Sequence, residues 1–260
     1  MLESYNGFIK KMIPSMHKLL DDLKWQIEAG IDDPLGDQPY TKENLKVDDS
    51  LIKEISKPLE LTDDIPIKSS LHEIKTLEEL KSFLLNNSIC ALQRSSKNLV
   101  FSDGNSLSSI MIISGVPDSN EDNSGVPIRE KNGELFNNIL SAANLTRSSV
   151  YIAPIIPWKI PGNRDLTNEE RIVLLPIIKK HIELIDPKIL IFVGLDPIKY
   201  LLNDDRMMKM RGKWLNYSLK EKSIECMPIL DPGFLIRRPE YKRETWNDIL
   251  SLKEKFKELS

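Results

Sequence analysis

Acidic and basic side chains meet near the C-terminus, in the stretch ILDPGFLIRRPEYKRETW that begins at Ile229. Asp231 follows a short apolar run and stands before proline and glycine, a pattern typical of a strand that ends in a tight turn. Cations follow within a few residues: Arg237, Arg238, Lys242 and Arg243. Because cations and backbone N–H groups at the start of a helix hold phosphates, the turn predicts chemistry on a phosphorylated or nucleic-acid substrate.

A second loop, SGVPDSNEDNSGVP, runs from Ser114 to Pro127 and carries the acidic pair Glu121 and Asp122. A carboxylate in such a loop could place a water molecule for hydrolysis, or it could simply form a turn. Asp231 also has two interpretations. A protonated carboxylic acid in a closed pocket donates a hydrogen bond, whereas an aspartate before proline commonly starts a turn. Glu121 and Asp231 are therefore the candidate catalytic groups.

The elements that must position these loops alternate between strand and helix. Apolar runs predict strands at 110–113, 150–152, 189–194 and 226–230. Helical spacing predicts helices at 71–85, 133–143, 168–185 and 239–259, and a short helix that ends at Leu202. Strict alternation predicts an α/β fold, a three-layer α/β/α sandwich with a central parallel sheet. Ligands of such a sheet bind at the carboxyl ends of the strands, where both loops and a third, APIIPWKIPGNR, come together.

The N-terminal part has a different pattern. Apolar residues recur at helical spacing from Tyr5 to Ala29, which predicts an amphipathic N-terminal helix over residues 1–30. Residues 31–70 mix acidic residues, prolines and isolated apolar residues without a period, which predicts a partly disordered linker. The main domain then covers residues 71–260.

Composition limits the classes of function. The 36 Lys and Arg against 39 Asp and Glu give a formal charge of -3, so any binding of nucleic acid requires a local basic patch. The two cysteines, Cys90 and Cys226, are far apart and belong to no Cys/His cluster, which predicts no metal and a reducing compartment. No apolar run approaches the roughly 20 residues that span a bilayer, and the N-terminus lacks a signal-peptide pattern. We expect a cytoplasmic monomer that does not bind membranes.

Several motifs occur in one order along the chain. They are CALQRSSKNLVFSDGN from Cys90, P-x-x-x-E-D-x-x-G-x-P from Pro117, VYIAPIIPWKIPGNR from Val150, ELIDPKILIFVG, MRGKW, and D-P-x-x-L-I-R from Asp231. In this order and spacing they resemble the uracil-DNA glycosylase superfamily, and specifically a bacterial branch of its family 4. Such enzymes turn a uracil out of the DNA stack and hydrolyse its N-glycosidic bond. The resemblance implies DNA base-excision repair, with DNA held through its phosphate backbone and one flipped nucleotide.

The resemblance also implies roles for particular positions. In the family, the loop that corresponds to SGVPDSNEDNSGVP carries an acid that helps to place water, and this chain has Gly115 there. An aromatic that stacks on uracil follows that loop, and this chain has Ile128 there. An asparagine that reads the uracil edge corresponds to Pro154. A histidine that donates to the uracil anion corresponds to Asp231. Because a donor at such a position contributes about 3 kcal/mol or more, we expect weak or absent uracil excision.

The same resemblance predicts further DNA contacts. Asn163 and Arg164 close the third loop and either meet backbone phosphate or form hydrogen bonds within the loop. Leu235 either enters the duplex as a wedge or packs under its helix. The family's iron–sulfur cysteines are absent except for Cys90, so no cluster or other cofactor is expected. Two alternatives remain open: an active glycosylase with a changed base specificity, and a non-catalytic protein-interaction module.

Overall fold

The computed structural model describes residues 66–259. The predicted N-terminal helix over residues 1–30 and most of the predicted linker lie outside these residues. The end of that linker differs from the prediction, because residues 66–70 belong to a helix that begins at Pro66.

A six-stranded sheet forms the centre of the fold. Its strands are β1 (Asp103–Gly104), β2 (Ile110–Ser114), β3 (Tyr151–Pro154), β4 (Ile189–Val193), β5 (Leu215–Leu219) and β6 (Lys222–Ile229). The strand order is β1-β3-β2-β4-β6-β5. The four inner strands pair in parallel, whereas β1 and β5 pair antiparallel with their neighbours at the two edges. The predicted central parallel sheet is confirmed, and the antiparallel edges are an addition.

Helices connect and cover the strands. They are α1 (Pro66–Glu73), α2 (Leu77–Asn86), α3 (Ala91–Ser95), α4 (Ser119–Ser124), α5 (Glu130–Ala142), α6 (Asn168–Ile185), α7 (Leu195–Pro197, continued by a π turn at Ile198–Leu202), α8 (Met207–Met210), α9 (Pro232–Arg237) and α10 (Lys242–Leu259). The single helix predicted over 71–85 is two helices. The break has a local cause: Thr76 and Glu79 form a capping box that starts α2.

Two hydrophobic clusters lie on the two faces of the sheet. Along β2 the side chains alternate, so that Met111 and Ile113 belong to one cluster and Ile110 and Ile112 to the other. The first cluster includes side chains of α2 and α6. The second includes side chains of α5 and α10. Helices therefore cover both faces, which confirms the three-layer α/β/α sandwich. Within residues 66–259, no helix is long and apolar enough to cross a membrane.

Candidate active site

A cavity of about 510 Å³ opens at the carboxyl ends of β2, β4 and β6, and we refer to it as the strand-end cavity. Its wall contains Ser114 and Val193, the last residues of β2 and β4, and Leu230, the residue that follows β6. Parallel strands place their following loops at one edge of the sheet. Of the residues predicted from sequence, the cavity brings together Gly115, Glu121, Ile128, Asp231 and Arg237.

Asp231 lies two residues after the end of β6 and is the N-cap residue of α9. Its Oδ1 accepts a hydrogen bond from the Phe234 N–H at 2.9 Å. Burial raises the pKa of Asp231, while the Phe234 N–H and the guanidinium of Arg237 act in the opposite direction. Asp231 therefore forms the turn that starts α9 and also lines the cavity with its carboxyl group.

Glu121 also combines a structural contact with a place in the cavity. It forms a capping box with Asp118 at the start of α4, and its Oε2 accepts from the Asp118 N–H at 2.7 Å. Its Oε1 accepts from the Ile128 N–H, so one carboxylate connects Asp118, which precedes α4, with Ile128, which follows it. Burial raises the pKa of Glu121 to about 7, against the lowering effect of these two N–H groups. The group therefore titrates near neutral pH.

Ile128 occupies a backbone conformation that β-branched residues rarely adopt, with φ of 50°. Both of its peptide groups are held: Glu121 accepts from its N–H, and Arg147 donates to its carbonyl oxygen. The next helix also approaches closely, because a Cβ at Gly133 would lie 2.8 Å from the Ile128 carbonyl oxygen. Such contacts hold the unusual backbone in place and fix the Ile128 side chain in the cavity wall.

Asp196, which sequence reasoning missed, lies beside Gly115. A Cβ added at Gly115 would lie 2.9 Å from the Asp196 Oδ2. The same Oδ2 accepts a hydrogen bond from the Val116 N–H at 2.9 Å. A carboxylate from the loop after β4 therefore fills the space next to position 115. The sequence indicates Asp196 only through its position, as an aspartate that follows the strand predicted at 189–194.

Pro154 does not line the strand-end cavity; it is a buried residue at the end of β3, in register with Ser114 of β2. The Ile155 N–H donates to the Ser114 carbonyl at 2.9 Å. Because N–H groups alternate sides along a strand, the Pro154 nitrogen faces away from β2, toward the edge where β1 pairs only with Tyr151 and Ile152. The proline therefore removes no hydrogen bond from the ladder with β2.

A second depression of about 340 Å³ adjoins the cavity, and we refer to it as the basic groove. Its wall includes Arg129, Lys131 and Arg237, together with Glu130. Arg237 belongs to both walls. The groove also contains Ile236, whose side chain is 41% exposed. A strip of cations with an exposed apolar residue thus borders the cavity.

The remaining residues predicted to contact DNA differ in their exposure and in the side chains they pair with. Leu235 is 1% exposed and packs in the hydrophobic cluster with α5 and α10, so packing under its helix is the interpretation that the structure supports. Arg164 is exposed, but both of its terminal nitrogens donate to Glu170. Arg238 lies 3.7 Å from Glu240, and Asn163, Lys242 and Arg243 are exposed. The wedge role predicted for Leu235 is not compatible with its burial.

The cysteines do not fit an iron–sulfur cluster. A cluster of this type is held by four thiolates, and the sequence contains two cysteines. Cys226 is buried in β6, where burial raises its pKa to about 12, and burial also raises the pKa of Cys90. Among the described residues, no three His, Cys, Asp or Glu side chains are placed to hold a metal ion.

The fold and the cavity define an α/β sandwich protein with a cavity lined by carboxyl groups at the carboxyl ends of its parallel strands. Residues 101–250 match the family model of the uracil DNA glycosylase superfamily. This match covers more than half of the chain. The chain therefore belongs to the uracil-DNA glycosylase superfamily.

Relatives of the chain include several type-4 uracil-DNA glycosylases. The protein from Saccharolobus solfataricus is 29% identical over 171 residues, which are 64% of this chain and 79% of that protein. The protein from Sulfurisphaera tokodaii is 27% identical over 185 residues, covering 69% of this chain and 84% of its own length. A bacterial relative from Thermotoga maritima is 26% identical over 164 residues, which are 62% and 84% of the two chains. These similarities support family 4 within the superfamily.

Proposed function

We propose that this protein acts in DNA base-excision repair, takes one nucleotide out of DNA into the strand-end cavity, and excises uracil weakly or not at all. The position of Asp231 carries this proposal. Uracil leaves as an anion, and catalysis requires a donor or a positive charge that faces it as negative charge develops. A carboxylate at the end of β6 offers acceptors and a negative charge at that place.

The rest of the wall supports the same proposal. Asp118, Glu121 and Asp196 contribute further carboxyl groups. Among the described residues that line the cavity, Arg237 is the only cation. A negatively charged leaving group would therefore enter surroundings of like charge.

DNA is proposed to bind across the basic groove. Its cations suit backbone phosphates, which supply most of the sequence-independent affinity for DNA. Ile236 is exposed in this groove and is better placed than Leu235 to enter the duplex as a wedge. The expectations of a cytoplasmic location and a monomeric state rest on composition alone and remain predictions.

A second candidate function is a glycosylase with a changed base specificity. One observation favours it: the pKa of Glu121 is raised to about 7 in the cavity wall. A group that titrates near the working pH is suited to general acid or base catalysis. Such a group would be of little use to a cavity that only binds.

Cleavage and binding assays on the same oligonucleotides test the proposal. Single- and double-stranded DNA would carry one uracil, hypoxanthine or xanthine, with thymine-containing and unmodified strands as controls. We expect binding to all strands without measurable uracil release. Release of uracil at the rate of the Thermotoga maritima relative would contradict the proposal. Release of hypoxanthine or xanthine alone would favour the second candidate, and no binding to any strand would favour a protein-interaction module.

A further inference from the structure

The carboxylates of the strand-end cavity are held in place by the backbone. Asp196 accepts from the Val116 N–H and Asp231 from the Phe234 N–H, both at 2.9 Å. In each case the hydrogen bond fixes the side chain against the wall. Positioned carboxylates present acceptors and negative charge to whatever enters.

An unsatisfied hydroxyl lies in the same wall. Ser114 is 4% exposed, and its Oγ has no hydrogen-bond partner among the described residues. Along β2 its side chain is on the face of Ile110 and Ile112, which pack in one cluster with the cavity residues Ile128 and Val193. A buried polar atom without a partner is costly. Within residues 66–259, the Ser114 hydroxyl is therefore an unpaired polar group in the wall of the cavity.

The wall also contains an aromatic ring. Phe234 lines the cavity, and its ring centroid lies 5.3 Å from that of Tyr241. The face of an aromatic ring attracts cations and stacks on nucleobases. Sequence reasoning expected the aromatic at position 128, where the chain has isoleucine. Phe234, in helix α9 after β6, provides an aromatic surface instead.

A metal ion is not the occupant that this wall fits. Ca²⁺ binds about six to eight oxygens around one point. Among the described residues, no three His, Cys, Asp or Glu side chains are grouped to hold a metal ion. Asp118, Asp196 and Asp231 come from the loops after three different strands and surround about 510 Å³. This volume lies within the roughly 300–1,000 Å³ of small-molecule sites, so the charge to be matched is spread over a larger ligand.

We propose that the strand-end cavity recognises a positively charged nucleobase, namely a ring-alkylated purine turned out of DNA. The inference rests on the proposed function, since it takes the cavity to receive a flipped nucleotide. Carboxylates attract the cationic ring, Phe234 faces it, and the Ser114 hydroxyl bonds to one of its polar atoms. Uracil has neither the charge nor amino donors for these acceptors.

The chemistry of the leaving group agrees with this assignment. When the N-glycosidic bond of a cationic purine breaks, the bonding electron pair neutralises the ring, the base departs as a neutral molecule, and the positive charge moves to the sugar C1′. A water molecule then forms the new bond to C1′ and releases a proton to solvent. No donor has to stabilise an anion, so a carboxylate at Asp231 is not a disadvantage. The positive charge that the base gives up passes to the sugar, so the cavity does not have to hold a new anion beside its carboxylates.

Binding to three duplexes that differ in one base tests the proposal. The base is N7-methylguanine, which is cationic, 7-methyl-7-deazaguanine, which is neutral and has the same shape, or guanine. Fluorescence anisotropy at one fixed salt concentration gives the three dissociation constants. We expect the cationic base to be bound about tenfold more tightly than its neutral isostere, or more. Equal affinities would overturn this proposal and leave DNA binding intact, whereas no binding to any duplex would overturn the proposed function as well.

Two variants that replace a carboxylate by a neutral amide test which side chains cause the preference for the cationic base. Asp196→Asn and Asp231→Asn keep the side-chain shape and should lower the preference for the cationic base toward one. Urea unfolding of each variant shows that it is folded, and the ratio of the two dissociation constants within one variant gives the preference. Asp186→Asn is the matched control: Asp186 pairs with Lys222 at the start of β6, at the other end of that strand. An unchanged preference in both cavity variants would overturn the proposal.

Discussion

The strand-end cavity and the basic groove adjoin each other and differ in charge. The cavity wall contains four carboxyl groups and Arg237, whereas the groove contains Arg129, Lys131 and the same Arg237. Phosphates therefore have favourable partners in the groove, and anions have unfavourable ones in the cavity. Under the proposed function, holding DNA and excising a base would therefore depend on largely different side chains, with Arg237 common to both walls.

The largest effect is expected from converting the cavity. Gly115→Glu, Ile128→Phe and Asp231→His in the cavity wall, combined with Pro154→Asn at the end of β3, would supply the side chains that the family resemblance implies. Asp196→Ser must accompany it, because a Cβ at position 115 would lie 2.9 Å from the Asp196 Oδ2.

We expect this fivefold variant to release uracil at least about a hundredfold faster than the parent protein, the scale of one oxyanion donor. The fourfold variant that keeps Asp196 should gain less, and the set that keeps Asp231 should gain least. Single-turnover release from a uracil-containing duplex measures the rates. A folded, DNA-binding fivefold variant without excision would show that the loss lies outside these side chains.

Leu235 and Ile236 are neighbours in α9, but Leu235 is buried in the interior and Ile236 is exposed in the basic groove. Leu235→Ala should lower the free energy of unfolding by about 2–5 kcal/mol, since it removes a buried side chain. Ile236→Ala should change stability by less than about 0.5 kcal/mol and weaken binding to duplex DNA, since Ile236 lies exposed in the groove. Urea unfolding and anisotropy give the two quantities. Unchanged DNA affinity for Ile236→Ala would exclude it as a wedge.

Glu121 makes stability depend on pH in a definite direction. Its pKa is raised from 4.5 to about 7, so between these values the folded state binds a proton that the unfolded state has released. Stability from this group is therefore fully present below pH 4.5 and is lost as the pH rises through about 7. The full difference is about 3 kcal/mol.

Urea unfolding at pH 5 and pH 8 tests this for the parent protein and Glu121→Gln. The stability advantage of the parent over the variant should shrink from pH 5 to pH 8. The exposed Glu134 on α5 provides a control, since Glu134→Gln should leave the difference between the two pH values unchanged. An advantage that stays constant with pH would contradict the assigned titration.

The smallest effect is expected at the groove. Arg237→Ala with Arg238→Ala should weaken binding to all sequences alike and lower the salt slope by about one unit for each phosphate that the variant no longer binds. Lys220→Ala with Lys222→Ala removes the same charge from the turn between β5 and β6, at the opposite end of β6. Only the first pair should change the slope. Equal slopes for both pairs would remove Arg237 and Arg238 from the DNA-binding surface.

The inner strands were predictable because burial on both faces requires continuous apolar runs, as in ILIFV of β4. The edge strands lack this signal. In β5, LNYSL, only Tyr217 is buried, and β1 consists of two residues, Asp103 and Gly104. Their pairing is determined by contacts that are distant in sequence, which local patterns do not contain.

The candidate site was predictable where side chains follow strands closely, as at Gly115 and Asp231. Asp196 was missed because its contact with Gly115 depends on β2 and β4 being neighbours in the sheet. Strand order does not follow from periodicity. Leu235 was predicted to be either a wedge or a packed residue, and Ile236 was missed. Helix α9 has six residues, too few for an apolar period to show which face is buried.

Pro154 has a consequence for the engineering of the site. It is buried at the end of β3, and the Val100 N–H donates to the Pro157 carbonyl at 2.9 Å, so the residues before β1 lie beside this part of the chain. The Pro154 nitrogen carries no hydrogen and needs no acceptor there. Asparagine at this position would add a buried N–H, and a buried donor without an acceptor lowers stability.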